Sequence, residues 1–381
     1  MGPLSGFRII ELSGIGPGPF CGMMLGDMGA DVIRIDRPGG NPSSEGGHDI
    51  LFRNRRAVAV NLKHPDGVKT VLKLCEKADA IFEGYRPGVA ERLGVGPEPC
   101  MAANPKLVYG RMTGWGQTGP MAQAAGHDIN YIALTGALHA IGRRGEKPLP
   151  PLNLVGDFGG GGMLMAFGIV CALLEAQKSG KGQVVDAAMV DGAAALMAMF
   201  YGLKANGLHN PARGTNMLDT GAHFYDVYET KDGGYVSIGS IEPQFYALLK
   251  QKANLPADPF DAQYNVAQWP VMKEKIAGIF RTKTRDEWCA LMEGTDVCFA
   301  PVLDLDEAPK HAHAVARGAF QTVGKVVHPS PAPRFSRTAT HSNTLRPMTR
   351  VGTDTRAVLA DFGVTADEVD ALLKSGAVAA L

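Results

Sequence analysis

The chain holds 381 residues, 45% of them apolar, with 38 Lys plus Arg set against 38 Asp plus Glu. That length can bury a large core and predicts two domains, and a neutral balance supplies no global field to draw nucleic acid or an anionic membrane. No apolar run of transmembrane length stands out, MGPLSGFRIIEL lacks a signal-peptide core, and six cysteines without a C-x-x-C pairing predict reduced, mostly buried thiols in a cytoplasmic protein.

FRIIEL at 7–12 is a short apolar run. A Gly/Pro turn, a helix near 19–28 and a second run, VIRID at 32–36, complete a βαβ opening. Residues 57–62, 80–83 and 107–112 read as further buried strands, with helical stretches at 65–77 and 87–93 between them. This alternation predicts an α/β fold: a doubly wound parallel, Rossmann-like sheet. Helices are expected over 126–141 and 158–177, and GQVVDAAM reads as a strand leading into a helix over 188–205. HNPARGTNMLDTGAHF (209–224) is turn-rich, FYDVYETKDGGYVSIGS reads as a hairpin about 231–234, and helices near 243–252, 270–280 and 284–293 follow. HPSPAPRFSRT (328–338) is an extended return, and two short helices at 352–373 are expected to pack back on the first domain. The expected division is a large α/β domain at 1–190 completed by 330–381, a linker at 191–222, a small α+β domain at 223–310 and a return linker at 311–329.

Gly14-Ile15-Gly16 after the first strand, with Asp36 ending the second, mimics a dinucleotide fingerprint. Pro19 occupies the third glycine position and Pro17 removes another N–H, which makes the turn a poor phosphate cradle. GHDINY at 126–131 and Asp157, thirty residues on, carry more chemistry. Neutral imidazole accepts a proton and imidazolium returns it, so His127 and a carboxylate can move a proton on and off carbon. Each is expected where a helix begins, with backbone N–H groups available to a developing anion. His127 also reads as a packed histidine beside Asp128, and Asp157 as the N-cap of an apolar helix. Gly159–Gly162 are expected to leave backbone open to a ligand. Arg37, Arg53, Arg55, Arg56, Lys63, Arg86 and Arg92 read either as a polyphosphate-binding set or as solvated surface. Met163, Met165, Met189, Met197 and Met199 read as core, or as a pliable floor for acyl chains, with Met217 a separate candidate.

GHDINYIALTGALHAIG, PLNLVGDFGGGGM, GKGQVVDAAMVDG, RGTNMLD and IEPQFY, in this order, resemble the α-methylacyl-CoA racemases of the family III CoA transferase fold, over about 4–333. The resemblance implies epimerisation of 2-methyl-branched acyl-CoA thioesters through an enolate. His127 and Asp157 exchange the α-proton, and Glu242 orients the histidine. It places the acyl-CoA against Arg37, Val60, Asn61, Leu62, Lys63, Gly126, Asp128, Ile129, Asn130 and Tyr131, with Tyr85 and Arg86 as further candidates. It implies an interlocked homodimer, and neither metal nor cofactor beyond the substrate's own coenzyme A. Two departures stand in the block after NMLD, where Thr220 replaces a glycine and His223 a proline of the family pattern. A second Gly-His-Asp, at His48, matches nothing else around it and reads as a loop. The rival with the same fold is a CoA transferase using Asp157 as covalent nucleophile, and a rival of another class is an idle acyl-CoA-binding scaffold.

Overall fold

The computed structural model describes residues 2–40, 50–340 and 345–381, so His48 lies outside the described residues. The chain forms two compact units. One holds the residues up to Thr135, Leu152–Met197 and Gly318–Leu381; the other holds Gly136–Pro151 and Ala198–Arg317.

The first unit is built on β1 (Arg8–Leu12), β2 (Asp31–Asp36), β3 (Arg55–Val60), β4 (Ala80–Glu83), β5 (Val108–Thr113) and β6 (Val184–Ala188). These lie side by side in the order β3-β2-β1-β4-β5-β6, all parallel, with Val378–Ala379 added antiparallel beyond β3. Ile10 sits opposite Ile33 of β2 on one side and Ile81 of β4 on the other. Because strand side chains alternate, Ile10, Ile33, Val58 and Ile81 enter one core layer with Val71, Leu74 and Phe362. Ile9, Val32, Ala80 and Val108 enter the opposite layer with Cys21, Leu25, Met165 and Ile169. Burial on both faces explains why these strands read as continuous apolar runs. Chain order reverses between β1 and β4, which makes their carboxyl ends the switch point where open α/β sheets bind ligands.

Several local expectations change. Residues 126–141 form two short helices, Asp128–Ala133 and Ala137–Ala140, interrupted at Gly136 with φ +82°. The helix containing Asp157 begins earlier than its sequence indicates: Leu154–Met163 is wound as a π-helix, with the Phe158 N–H donating to the Asn153 carbonyl five residues back, and continues into the α-helix Leu164–Ser179. Asp157 is therefore inside a helix and not its N-cap. The glycines serve packing, because a Cβ at Gly160 would stand 2.6 Å from the Ala193 nitrogen and one at Gly192 only 1.8 Å from the Gly160 oxygen. By length and composition the run Leu154–Ser179 is apolar enough to cross a membrane, contrary to the expectation of no such run; 44% of its most apolar 18-residue stretch is buried in the protein.

Three arginines of the basic set are used structurally. Arg53 pairs with Asp27, and Arg55 with Glu11, all four side chains at most 4% exposed, while Arg56 bridges Asp31 and Asp361. These residues stand at the amino end of β3, away from the strands' carboxyl ends. Cys21, Cys75 and Cys100 are buried, but Cys171 and Cys298 are exposed and Cys289 is partly so, fewer buried thiols than expected.

The second unit carries the antiparallel sheet β7 (Tyr225–Glu229), β8 (Tyr235–Gly239) and β9 (Phe299–Val302), the last not evident in the sequence. Phe224, Tyr228, Trp269, Phe280 and Trp288 fill its core, and helices Pro243–Ala253, Trp269–Phe280 and Arg285–Met292 cover it. Residues 136–151, which the sequence places in the large domain, cluster with this unit. Both family departures are here. Thr220 adopts φ +74°, a left-handed conformation that a β-branched residue resists. His223 is fully buried, its Nε2 2.7 Å from the Tyr246 hydroxyl, and burial first, then Lys273, lowers its pKa to about 4. Met217 packs on the same core.

Candidate active site

The turns that leave β1, β4 and β5 converge on a cavity of about 540 Å³. Gly14–Gly18 form one wall, Gly84–Pro87 a second and Met112–Trp115 a third, and His127, Asn130, Tyr131, Asp157 and Met189 close it. His127 and Asp157 thus face the same space, as the sequence requires of a proton-transfer pair.

His127 is extended (φ −133°, ψ 173°) immediately before helix Asp128–Ala133. Its N–H donates to Asn130 Oδ1 at 3.0 Å, which fixes the chain at the start of that helix. The neighbouring ring of Tyr131 is held edge-on to Trp115, centroids 4.8 Å apart, and its hydroxyl donates to the Gly126 carbonyl. A Cβ on Gly126 would come within 2.7 Å of that ring, so the glycine in GHDINY is a packing requirement. The His127 side chain itself is left exposed.

Asp128 behaves differently from a substrate contact. Its carboxyl is buried, and Oδ2 accepts the N–H groups of Gly156 and Asp157 at 2.6 and 2.7 Å. The residue beside His127 is thereby bonded to the backbone of Asp157, which couples two segments about thirty residues apart. A Cβ at Gly156 would lie 2.5 Å from that same oxygen, so only glycine admits the carboxylate so close.

Asp157 is half-buried, and its pKa is raised by burial first. A hydrogen bond from Asn153 Nδ2 at 3.1 Å opposes the rise, the Asp128 charge adds to it and His127 lowers it. Opposite stands Gly16, at φ +65°, where a Cβ would approach Asp157 Oδ2 to 3.3 Å. The loop dismissed as a phosphate cradle therefore lies against the carboxylate. Asn153 stands in the PLNLVGDFGGGGM block and this loop in the fingerprint-like turn after β1, but neither signal pointed to a contact with the Asp157 carboxylate.

A second crevice of about 570 Å³ follows the carboxyl ends of β1, β2 and β3. Arg37, Val60, Asn61, Leu62, Lys63 and Tyr85 line it together with Ser13 and Leu93. Arg37 and Lys63 are exposed there, suited to an anionic ligand. Tyr85 lines both spaces, while Arg86 belongs to the first. Two expected contacts, Asp128 and Ile129, line neither; Ile129 is 43% exposed beside the site. Of the methionines, Met165 and Met189 are core, Met189 also reaching the first cavity, and Met163 and Met199 are exposed. Glu242 lies in the second unit, immediately before helix Pro243–Ala253, exposed and making no capping bond. No group of three or more His, Cys, Asp or Glu able to hold a metal occurs among the described residues.

A Rossmann-like sheet whose switch point brings a histidine and a carboxylate to one cavity, beside a crevice lined by Arg37 and Lys63, fits an enzyme of coenzyme-linked acyl groups. Residues 4–355 match the model of CoA-transferase family III, and the chain belongs to that family. It is 46% identical to alpha-methylacyl-CoA racemase of Mus musculus, over 96% of this chain and 95% of that protein. It is 43% identical to alpha-methylacyl-CoA racemase of Homo sapiens, again over 96% and 95%. In structure it is similar to a CAIB/BAIF family protein from Brucella suis, with a TM-score of 0.81, 24% identity, and coverage of 95% of this chain and 99% of that one.

Proposed function

We propose that this chain is an isomerase that interconverts the R and S epimers of 2-methyl-branched acyl-CoA thioesters. The observation that carries the reading is the shared cavity of His127 and Asp157, set at the sheet's switch point. One of the two removes the α-proton and the other returns a proton to the opposite face. The thioester carbonyl takes the negative charge between the steps, so no redox group or metal is required. A raised pKa at Asp157 favours this work, because a carboxyl poised closer to neutrality is both a competent acid and a competent base. The second crevice, with Arg37 and Lys63, holds the coenzyme's phosphates, and that remote binding energy positions the reacting carbon. Tyr85, lining both spaces, stands between the phosphate and thioester ends, and Arg86 stands at the thioester end. Glu242 is proposed to act with the pair in the reaction, on the strength of the sequence resemblance.

The enzyme is further proposed to be a cytoplasmic homodimer with interlocked subunits, needing no cofactor besides its substrate and no membrane or nucleic-acid partner. Exposed Phe167 and Leu174, seven residues apart on helix Leu164–Ser179, and exposed Leu196 support self-association, since large apolar side chains left in water favour burial against a second copy.

The test is isotope exchange. A single epimer of a 2-methylacyl-CoA incubated in deuterated water acquires label at the α-carbon as its stereochemistry scrambles, and His127→Ala and Asp157→Asn each abolish the epimerisation, leaving at most exchange with retention on the face of the base that remains. Transfer of CoA to a free acid through a hydroxylamine-sensitive enzyme intermediate, without α-labelling, refutes the reading and selects the transferase chemistry at Asp157.

A further inference from the structure

We propose that Glu83 is a positioning residue for coenzyme-thioester binding, fixing the turn 84–86 that walls the two crevices. This rests on the function proposed above only for the identity of the ligand. Glu83 ends β4 and is 1% exposed. A carboxylate buried in a parallel sheet is costly without partners, and its partners here identify its task. Oε2 accepts the Tyr85 N–H at 2.5 Å, and Oε1 accepts Arg111 Nε at 3.3 Å. Arg111, on β5, extends the chain to Glu91 at 2.8 Å. A side chain that captures the N–H two residues ahead sets the direction in which the backbone leaves the strand. That backbone is the turn at the switch point: Gly84 and Arg86 line the first cavity, and Tyr85 lines both. Glu83 lines neither cavity, so it acts through the turn and not on the substrate.

The charged and titratable groups facing Glu83 are Arg111 on β5, Glu91 on the short helix after the turn, and Tyr85; Tyr109 of β5 and Asp36 of β2 lie on the same network. Burial raises the Glu83 pKa to about 7, although the Tyr85 N–H and Arg111 oppose the rise. The anchor therefore changes between carboxylate and acid near neutrality. The acid is the weaker acceptor, so ligand affinity falls as pH falls through 7.

The test compares wild type, Glu83→Gln and Glu83→Ala for CoA affinity by calorimetry, and for kcat and KM of α-proton exchange, at pH 6, 7 and 8, with circular dichroism as the folding control. Glu83→Ala is expected to raise Kd and KM about tenfold, with kcat within about twofold of wild type. Glu83→Gln keeps an acceptor for the Tyr85 N–H. It should recover affinity to within about threefold at pH 7 and lose the extra weakening that wild type shows between pH 8 and 6. The comparison between variants cancels ionisation of CoA itself. Unchanged Kd in Glu83→Ala, a fall confined to kcat, or an undiminished pH dependence in Glu83→Gln overturns the proposal. If Glu83→Ala does not fold, the pH series of Glu83→Gln decides alone. Wild type that binds CoA without exchanging the α-proton removes the proposed reaction, and the affinity measurements still judge Glu83.

Discussion

Removing the Asp128 carboxylate tests whether the two halves of the site are held together as described. Its Oδ2 accepts two backbone N–H groups, of Gly156 and Asp157, at 2.6 and 2.7 Å, in a side chain only 5% exposed. Hydrogen bonds to a charged acceptor contribute about 1.5–3 kcal/mol each, and sharing one oxygen reduces the sum. Asp128→Ala leaves the buried Gly156 N–H and the part-buried Asp157 N–H without this acceptor, for an expected loss of about 2–4 kcal/mol in unfolding free energy. Asp128→Asn keeps an acceptor and loses the charge, for about 1–2 kcal/mol. The charge has a second consequence. Asp128 is one of the causes that raise the Asp157 pKa, after burial, because a neighbouring negative charge disfavours a second one. Neutral asparagine removes that repulsion, so Asp157 ionises at lower pH and the acid limb of the exchange profile moves to lower pH. Urea unfolding followed by circular dichroism, together with α-proton exchange across pH, measures both effects. An Asp128→Asn enzyme with wild-type stability, or an acid limb displaced to higher pH, refutes this account of the site.

Three other outcomes are expected. Thr220→Gly relieves a β-branched residue held at φ +74° and should raise unfolding free energy by about 0.5–1.5 kcal/mol, read from the thermal midpoint. Gly192→Ala forces a methyl to within 1.8 Å of the Gly160 carbonyl oxygen; the π-helix carrying Asp157 must shift, with about 1–3 kcal/mol lost and exchange activity reduced. Lys63→Ala and Arg37→Ala should each raise KM for the acyl-CoA about tenfold, with a smaller change in kcat, and should flatten the dependence of affinity on salt. Calorimetry at two ionic strengths checks this, and equal salt slopes in wild type and variants would remove those residues from the phosphate site.

Sequence alone determined the parallel sheet, because strands buried on both faces carry adjacent apolar residues that strict alternation would not: the Ile9-Ile10, Val32-Ile33 and Ile81-Phe82 pairs in RIIEL, DVIRID and AIFE, which recur between helical stretches. It also offered His127 and Asp157 as a pair able to move a proton, and the fold brings both to one cavity. Where a signal depends on partners distant in the chain, only the tertiary structure decided. Arg53 and Arg55 look like phosphate ligands until Asp27 and Glu11 are placed against them. Asp157 looks like an N-cap until Asp128 takes its N–H from 29 residues away. Gly160 looks open to a ligand until it is found packed against the backbone of Gly192 and Ala193. Local pattern reports what a segment can bury, whereas pairing of charges, close backbone contact and the wall of a cavity are set by chain segments that meet only on folding.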